Sequence, residues 1–343
     1  HFILNSSFIT HHSSLGFTMT PAEAIKREAR AVGFDAVGIS RVDLPSSHEP
    51  IPLAPLAETL FTRLQQWLAQ GYHASMAWMA RTPERRADPT LVLPGCRSII
   101  SVGLSYYTGH RADESPGYGR IARYAWGQDY HEVLLDKLSR LEAHIQALAP
   151  EAHTRGYVDT GPVMEKAWAQ RAGLGWIGKH SNLVSAEHGS WLVLGEILTT
   201  LELAPDEPAT DLCGTCTLCL QACPTRAMPE PYVVDANRCI SYLTIELRKP
   251  CEEIPPDLAS HMSNHIFGCD DCLDICPYNA YATPTKEPAF QPSPTTLSPH
   301  LPALAQQSEK AFAEAFRESP IRRAKYAGFL RNVRIALQNQ KQG

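Results

Sequence analysis

The cysteines between residues 213 and 276 constrain this chain more than any other feature. The run CGTCTLCLQACP has the spacing Cys-x2-Cys-x2-Cys-x3-Cys-Pro, and a second run, CDDCLDICP, follows further along the chain. In proteins with two iron–sulfur cubanes, three cysteines of such a run bind one [4Fe–4S] cluster and the fourth binds the other. The sequence therefore predicts two [4Fe–4S] clusters.

The second run lacks the first cysteine of the usual spacing, and Cys239 is the substitute that we expect. One cluster is then bound by Cys213, Cys216, Cys219 and Cys276, and the other by Cys223, Cys239, Cys269 and Cys272. Cys251 is a weaker alternative to Cys239. Zinc and disulfides are less favoured, because zinc sites use two separated pairs of ligands. Cys96 lies in the apolar segment LVLPGCRSII and is predicted to be a buried thiol.

Length and charge limit the remaining possibilities. A chain of 343 residues has room for about two domains. Cluster-binding thiolates imply a reducing compartment, which we expect to be the cytoplasm. No apolar run reaches the roughly 18 residues that a membrane span needs. The net charge of −5 argues against a generally basic surface for nucleic acid, although local basic patches remain open.

Residues 1–19 are predicted to be a disordered or non-native extension. They lack the basic region and the twin arginine of export signals. Met19 fits the start of the protein, with Thr20 capping a helix that begins at Pro21.

Helical and strand patterns alternate over residues 20–205 and predict an α/β layer domain. Helices are expected over 21–33 and 56–80, in the later part of 119–148, and over 162–172. Strands are expected over 34–40, 98–105 and 154–160, and from residue 188 onward.

The cluster module is predicted over 206–280, and a proline-rich connector with C-terminal helices over 281–343. The connector, TPTKEPAFQPSPTTLSPHLP, is expected to leave the body of the protein. Helices are expected near 308–317 and around 322–338.

The segment GLGWIGKH matches two phosphate-binding patterns in part. Gly173, Gly175 and Gly178 fit the dinucleotide spacing, and Lys179 nearly completes a P-loop. The segment follows a predicted helix rather than a strand, and His180 stands where a P-loop needs Ser or Thr. We instead expect a tight turn that brings the backbone close to some other ligand.

Two polar residues in the α/β region have open roles. Asp159, in VDTGP, follows a predicted strand, where it either shapes a turn or presents an acid to a ligand crevice. His131, in DYHEVL, fits an Asp-x-His cobalamin loop only in part, because Leu134 stands where glycine is expected. A surface or core histidine is therefore the preferred interpretation.

The segment PIRRAKYAGFLRNVRIALQNQKQG is basic and has no acidic residue. Such a run is usually a solvated helix face, but with Tyr326 and Phe329 nearby it can also contact RNA phosphates. Its basic residues are Arg322, Arg323, Lys325, Arg331, Arg334 and Lys341.

Taken together, several segments resemble the epoxyqueuosine reductase family, from about Thr20 to the end of the chain. They are RYAWGQDYHEVL, VDTGPVMEKAWAQRAGLGWIGKH, GSWLVLGEILTT, CGTCTLCLQACPTRAM, RCISYLTIE and FGCDDCLDICPYN. The resemblance implies a cytoplasmic, cobalamin-dependent enzyme that reduces epoxyqueuosine to queuosine at the wobble position of tRNA, the last step of queuosine biosynthesis. The implied fold is an α/β (α+β) cobalamin-binding domain like that of reductive dehalogenases, fused to a ferredoxin-like module with two [4Fe–4S] clusters and a short C-terminal helical segment.

The resemblance also implies roles for residues and partners. Asp159 is expected to be the proton donor. The positions expected to contact cobalamin are Arg86, Asp159, Leu183, Leu194, Ser241, Asp270 and Asp271. The implied partners are tRNA with epoxyqueuosine in the anticodon loop and an external low-potential electron donor of the flavodoxin or ferredoxin type. We expect a monomer and no membrane.

The chemistry of the residues agrees with this reaction. Converting an epoxide to an alkene takes two electrons and two protons and releases water. Clusters deliver single electrons at low potential, which suits reduction of cobalamin to its nucleophilic Co(I) state. A carboxylic acid can protonate the departing oxygen, and burial of Asp159 against the corrin is predicted to keep it protonated.

Two other functions are open alternatives. A cobalamin-dependent reductive dehalogenase is disfavoured because the chain has no twin-arginine signal. A non-catalytic ferredoxin-type carrier is disfavoured because a large α/β domain precedes the clusters.

Overall fold

The computed structural model of the chain describes residues 19–42, 54–247 and 253–341. The predicted extension over 1–18 and the alternative ligand Cys251 lie outside these ranges. The helices are α1 (Pro21–Ala31), α2 (Ala54–Ala69), α3 (Pro83–Ala87), α4 (Tyr130–Leu148), α5 (Glu165–Arg171), α6 (Leu218–Ala222), α7 (Ile240–Ile245), α8 (Pro256–His261), α9 (Asp271–Asp274), α10 (Pro294–Leu297), α11 (Leu301–Ala305), α12 (Glu309–Ala315) and α13 (Lys325–Asn339). The strands are β1 (Ala36–Arg41), β2 (Ser98–Ser105), β3 (Arg120–Ile121), β4 (Thr154–Tyr157), β5 (Trp176–Ile177), β6 (Leu183–Val184), β7 (Leu192–Thr199) and β8 (His265–Phe267).

Four antiparallel strands form the central sheet in the order β1-β2-β7-β4. Side chains alternate between its two faces, as the pleat of a strand requires. Ile100 and Ile197 pack in the same core as α1 and α4, whereas Ile99 and Leu198 pack with Trp168 of α5. Helices therefore cover both faces, and this explains why β2 is buried along its whole length. The predicted layered α/β (α+β) fold is confirmed, with antiparallel strands.

Most predicted elements are present, but two end earlier than expected. The helix predicted over 56–80 stops at Ala69, because Gly71 and Ala74 have φ values of 69° and 50° that no α-helix contains. The strand predicted over 154–160 stops at Tyr157, and Asp159 has a φ of 54°. Asp159 thus lies in a loop with a left-handed backbone.

The proline-rich connector lies against the body of the protein, contrary to the prediction. Phe290 is buried, and the Thr296 hydroxyl donates to the carbonyl of Trp126 at 2.6 Å. A Cβ atom at Gly127 would lie 2.3 Å from the carbonyl oxygen of Ala289. Proline removes backbone donors but does not prevent this irregular chain from packing.

The cluster region and the C-terminal helices are joined to the preceding residues. Strand β3 pairs in parallel with β8, which bridges the predicted boundary near 205, and contacts of α13 bridge the boundary near 280. Asn332 of α13 is fully buried, and its amide donates to the carbonyls of Thr244 and Ile266 at 2.9 and 3.0 Å. Over the described ranges, no helix is both long enough and apolar enough to cross a membrane.

Candidate redox and catalytic site

The four cysteines assigned to the second cluster come together in the structure. Cys223 ends α6, Cys239 precedes α7, Cys269 follows β8 and Cys272 lies in α9. The Cys239 thiol interacts electrostatically with Cys223, and Cys269 interacts with Cys239 and Cys272. Burial raises the pKa of the Cys272 thiol well above its ordinary value. None of the four forms a disulfide, so their thiols are the donor set that a cubane takes.

The cysteines assigned to the first cluster lie on two neighbouring loops. The Cys219 thiol interacts with Cys213 on the first loop. The indole N–H of Trp176 donates to the sulfur of Cys213 at 3.4 Å, and Tyr278 packs edge-on against that indole with ring centroids 4.7 Å apart. Because Tyr278 is two residues from Cys276, the loop of Cys276 lies beside the first cluster. This geometry supports the crossed ligand assignment.

The glycine-rich segment GLGWIGKH packs against protein rather than against a phosphate. A Cβ atom at Gly175 would lie 2.2 Å from the carbonyl oxygen of Val184, so the expected close approach is to the neighbouring strand β6. The ammonium group of Lys179 donates to the carbonyls of Gly214 and Cys216 at 2.7 and 2.8 Å. The lysine therefore holds the loop of the first cluster.

Asp159 lies at the centre of a small polar group beyond the end of β4. The Tyr130 hydroxyl donates to its Oδ2, and Nε2 of His131 is 3.6 Å from the same oxygen. The carboxylate of Glu165 accepts the backbone N–H of Asp159 at 2.7 Å. The side chain of Asp159 is nevertheless 47% exposed, so a ligand can reach it. Its burial against a corrin ring stays a prediction.

A cation links this group to the second cluster. Lys166 donates to the carbonyl of Ser181 at 2.9 Å and to the side-chain oxygen of Asn182 at 2.8 Å. Loss of solvation lowers the pKa of its ammonium group. Its charge interacts both with Asp159 and with Cys272. The candidate proton donor and the second cluster therefore border the same region.

Arg86 is one of the predicted cobalamin contacts, and it has a donor to spare. Its guanidinium lies 5.1 Å from the ring centre of Trp78, and its charge interacts with Glu165. Burial lowers its pKa. Its Nε is buried and has no hydrogen-bond partner among the described residues. Because buried donors are nearly always paired, this atom suits a polar group of a bound ligand.

The other predicted cobalamin contacts are divided between two environments. Leu183 and Leu194 are only 5% and 8% exposed and pack together in one apolar cluster, so their side chains belong to the core. Ser241 lies beside the second cluster, where its hydroxyl donates to the carbonyl of Cys269 at 3.5 Å.

Asp270 and Asp271 lie on the other side of the Cys269 loop. Asp270 lines a cavity of about 490 Å³ together with Arg120 and Arg123, and Asp159 is not among its lining residues. Asp270 accepts the backbone N–H of Arg123 at 2.7 Å, while burial raises its pKa to about 6. Asp271 pairs with Arg120 at 3.1 Å. Asp270 interacts electrostatically with Cys272 of the second cluster, and Tyr124 interacts with both Asp270 and Asp159.

Four residues of the polar group were not singled out as site residues from the sequence, namely Tyr130, His131, Glu165 and Lys166. His131 was expected to be a surface or core histidine, and the structure places it beside Asp159. A signal was present for the last two, because consecutive opposite charges stand where a short helix with a buried tryptophan begins. The prediction for Cys96 is confirmed, since this thiol is completely buried.

Comparison with known proteins gives one match for the region that contains Asp159 and another for the region that contains the cluster cysteines. A family model described as "Epoxyqueuosine reductase QueG, DUF1730" matches residues 86–160, and one described as "4Fe-4S double cluster binding domain" matches residues 212–279. The first range includes Arg86 and Asp159, and the second includes all eight cluster cysteines. The predicted pair of [4Fe–4S] clusters is therefore confirmed as a property of the chain.

Whole proteins and solved structures agree with these models. An epoxyqueuosine reductase from Synechocystis sp. is 48% identical over 83% of this chain and 99% of that protein, and one from Escherichia coli is 42% identical over 93% and 81%. The crystal structure of an epoxyqueuosine reductase with an epoxyqueuosine-modified tRNA-Tyr stem loop has a TM-score of 0.83 and 31% identity, over 92% of this chain and 80% of that one. On this evidence the chain belongs to the epoxyqueuosine reductase family.

Proposed function

We propose that this protein reduces epoxyqueuosine in tRNA to queuosine. The observation that carries the proposal is the position of Lys166, whose charge interacts with Asp159 on one side and with Cys239 and Cys272 on the other. A proton donor and an electron source thus meet in one region, as the reduction of an epoxide requires. The family of the chain supports this substrate, since a related enzyme has been solved with the modified stem loop.

Cobalamin is the group that we propose between the acid and the second cluster. Its cobalt, when bound, supplies the low-potential nucleophile that clusters can reduce one electron at a time. Arg86, with its unpaired buried Nε, and Ser241, beside Cys269, fit as residues that hold it. Leu183 and Leu194 offer mainly backbone atoms for such a contact, because their side chains are used in the core.

Asp159 is proposed to protonate the oxygen that leaves the epoxide. The Tyr130 hydroxyl donates to one carboxylate oxygen, and Glu165 holds the backbone N–H, so both the side chain and the main chain of Asp159 are oriented. The exposed half of the side chain is then free to contact the substrate. A positioned acid of this kind contributes about 10²–10⁴-fold to a rate.

Electrons are proposed to enter at the first cluster. Three exposed apolar residues each stand next in sequence to one of its cysteines, namely Leu212, Leu218 and Ile275, which are 50%, 42% and 43% exposed. An apolar rim around partly buried ligands is a suitable contact for an external donor of the flavodoxin or ferredoxin type. A monomer suffices, because all eight cysteines and Asp159 come from one chain. The free thiols suit a reducing compartment such as the cytoplasm.

The basic C-terminal segment is proposed to contact tRNA through part of its charge. Arg331 was a candidate, but its guanidinium donates to the carbonyls of Leu243 and Leu247 at 2.7 and 2.9 Å. Arg323 pairs with Glu246 at 2.5 Å. These two arginines therefore hold the C-terminal segment against the cluster module. The exposed side chains suited to phosphate are Arg322, Lys325, Arg334 and Lys341.

Anaerobically purified protein tests the function. We expect about eight irons and one corrinoid per chain, and conversion of epoxyqueuosine to queuosine in a tRNA stem loop when a low-potential reductant is added. A haloalkene offered instead of the stem loop tests the dehalogenase alternative. Zinc in place of iron, or failure to retain cobalamin after anoxic reconstitution, would refute the proposal. Reduced clusters without turnover of either substrate would favour the carrier.

A further inference from the structure

We infer that Glu165 stores the second proton of the reaction and passes it to Asp159, an inference that rests on the proposed function. Reduction of an epoxide to an alkene and water consumes two protons, whereas the carboxyl group of Asp159 can donate only one at a time. The chain therefore needs a second acid that reaches Asp159 between the two proton transfers. Glu165 is the residue whose contacts meet this need.

The carboxyl groups of Glu165 and Asp159 are adjacent. Glu165 is the first residue of α5, and its Oε1 accepts the backbone N–H of Asp159 at 2.7 Å. The two side-chain carboxyl groups also interact with each other. A proton can thus pass from one carboxyl group to the other directly. Two carboxylates this close do not both ionise readily, so at least one proton is retained by the pair.

The surroundings of Glu165 favour its protonated form. Loss of solvation and the adjacent charge of Asp159 raise the pKa of Glu165 well above its ordinary value. On the sheet side lies Glu196 of β7, which is completely buried and accepts from the Ser101 hydroxyl at 2.7 Å. Its Oε1 has no partner among the described residues, and burial raises its pKa as well.

Three further titratable groups face Glu165. Tyr130 lies on α4, Arg86 on α3 and Lys166 next in sequence on α5. The two cations favour an ionised Glu165, but loss of solvation and the neighbouring carboxylates outweigh them, since the net shift is upward. Burial and the adjacent carboxylates therefore favour the protonated form of Glu165.

The proton balance can be written for each step. Asp159 takes up the first proton from solvent through the exposed half of its side chain. It gives this proton to the oxygen released from one carbon of the epoxide, and the oxygen becomes a hydroxyl group. The O–H bond of Glu165 then breaks, and its proton moves to the Asp159 carboxylate. Asp159 gives this second proton to the hydroxyl group as it leaves as water, while the clusters supply the two electrons. Glu165 acts through Asp159 and is a relay residue rather than a group that touches the substrate.

The substitution Glu165→Gln tests the relay. Glutamine keeps an oxygen that accepts the Asp159 N–H and has nearly the same volume, but it has no proton to give. In the holoenzyme we expect a single turnover of the modified stem loop to slow by about 10²-fold or more. The wild-type rate should fall as the pH rises through the pKa of Glu165, and this decline should be missing in the variant. The infrared carbonyl band of a protonated carboxylic acid at neutral pH should lose the contribution of one residue.

Controls separate the relay from a structural role. Glu187→Gln makes the same change at a carboxyl group that is 87% exposed, and it should leave rate, pH profile and infrared band unchanged. Glu165→Asp restores a transferable proton and should recover part of the rate. If Glu165→Gln keeps the wild-type rate and pH profile, or if both variants are equally slow, the inference is overturned. The infrared band reports the protonation of Glu165 without any substrate. If the wild-type protein fails to reduce epoxyqueuosine, only the proposed function is refuted. An unchanged band in Glu165→Gln refutes the storage of a proton on Glu165.

Discussion

Replacing Lys179 with methionine should loosen the first cluster and leave the second in place. The substitution keeps the apolar stem of the side chain but removes the ammonium group that donates to the carbonyls of Gly214 and Cys216. These two carbonyls belong to the loop that carries Cys213, Cys216 and Cys219. Because the substitution removes two contacts to this loop at once and leaves the cysteines themselves intact, the effect on the cluster can be assigned to the loop.

The expected magnitude follows from the two hydrogen bonds. Bonds from a charged donor stabilise by about 1.5–3 kcal/mol each, and the lower value applies because Lys179 is only partly buried. The loop of the variant should then open more easily by about 3 kcal/mol, which corresponds to roughly a 100-fold higher population of the open loop. Iron loss that passes through this open loop should accelerate by a similar factor.

Anaerobic iron release into a chelator measures this effect. In wild-type protein both clusters should bleach slowly, whereas the variant should release half of its iron in a fast phase and the rest at the wild-type rate. Lys286→Met, at an exposed lysine of the connector, is the matched control and should release iron as the wild type does. A variant with the wild-type rate, or one that loses both clusters together, would show that Lys179 does not act on the loop as described.

Three further substitutions test other parts of the structure. Asp159→Asn should preserve the corrinoid absorption of the reconstituted protein but slow a single turnover by about 10²-fold or more, and unchanged turnover would remove Asp159 from the mechanism. Gly38→Ala places a Cβ atom 1.9 Å from a backbone oxygen at the end of α5 and should lower the free energy of unfolding, measured with denaturant, by about 3 kcal/mol. Gly103→Ala in the same sheet places a Cβ atom 3.3 Å from a leucine methyl group and should lower it by less. Equal losses would contradict the packing described. Arg322→Ala should reduce the salt dependence of tRNA binding, as loss of a phosphate contact does. Arg331→Ala should instead lower the stability of the cluster module, because its guanidinium donates to backbone carbonyls there. The reverse result would show that Arg322 does not contact phosphate.

The cluster ligands could be predicted from the sequence because iron–sulfur chemistry imposes a fixed local spacing. Cys239 stays the predicted replacement for the missing ligand, and its thiol interacts with Cys223 in the structure. The role of Asp159 as proton donor stays a prediction that rests on resemblance to a family motif, because local sequence left its role open between a turn and an acid. The family motif is what favours the acid. The ligand crevice first considered for Asp159 belongs to the strand ends of parallel sheets, whereas this sheet is antiparallel.

The partners of Asp159 could not be predicted, because they depend on contacts between distant segments. Tyr130 begins a helix that precedes the Asp159 strand, and its hydroxyl reaches the carboxylate only after the two elements pack together. Arg331 was considered for contact with RNA, but its guanidinium donates to a backbone carbonyl of the protein. The sequence of a basic helix does not distinguish a side chain that faces solvent from one that binds backbone carbonyls. The connector was expected to be free because proline signals irregular structure, but proline does not indicate where irregular chain packs.

The position of Asn332 affects the order in which this protein can mature. Its amide closes over the carbonyls of Thr244 and Ile266, which flank the second cluster, yet it follows every cluster cysteine in the chain. During synthesis the thiols therefore leave the ribosome before the residue that holds the last helix against these carbonyls does. This delay leaves the thiols accessible to iron delivery until the final helix docks, and a chain shortened before Asn332 should take up iron but hold it poorly.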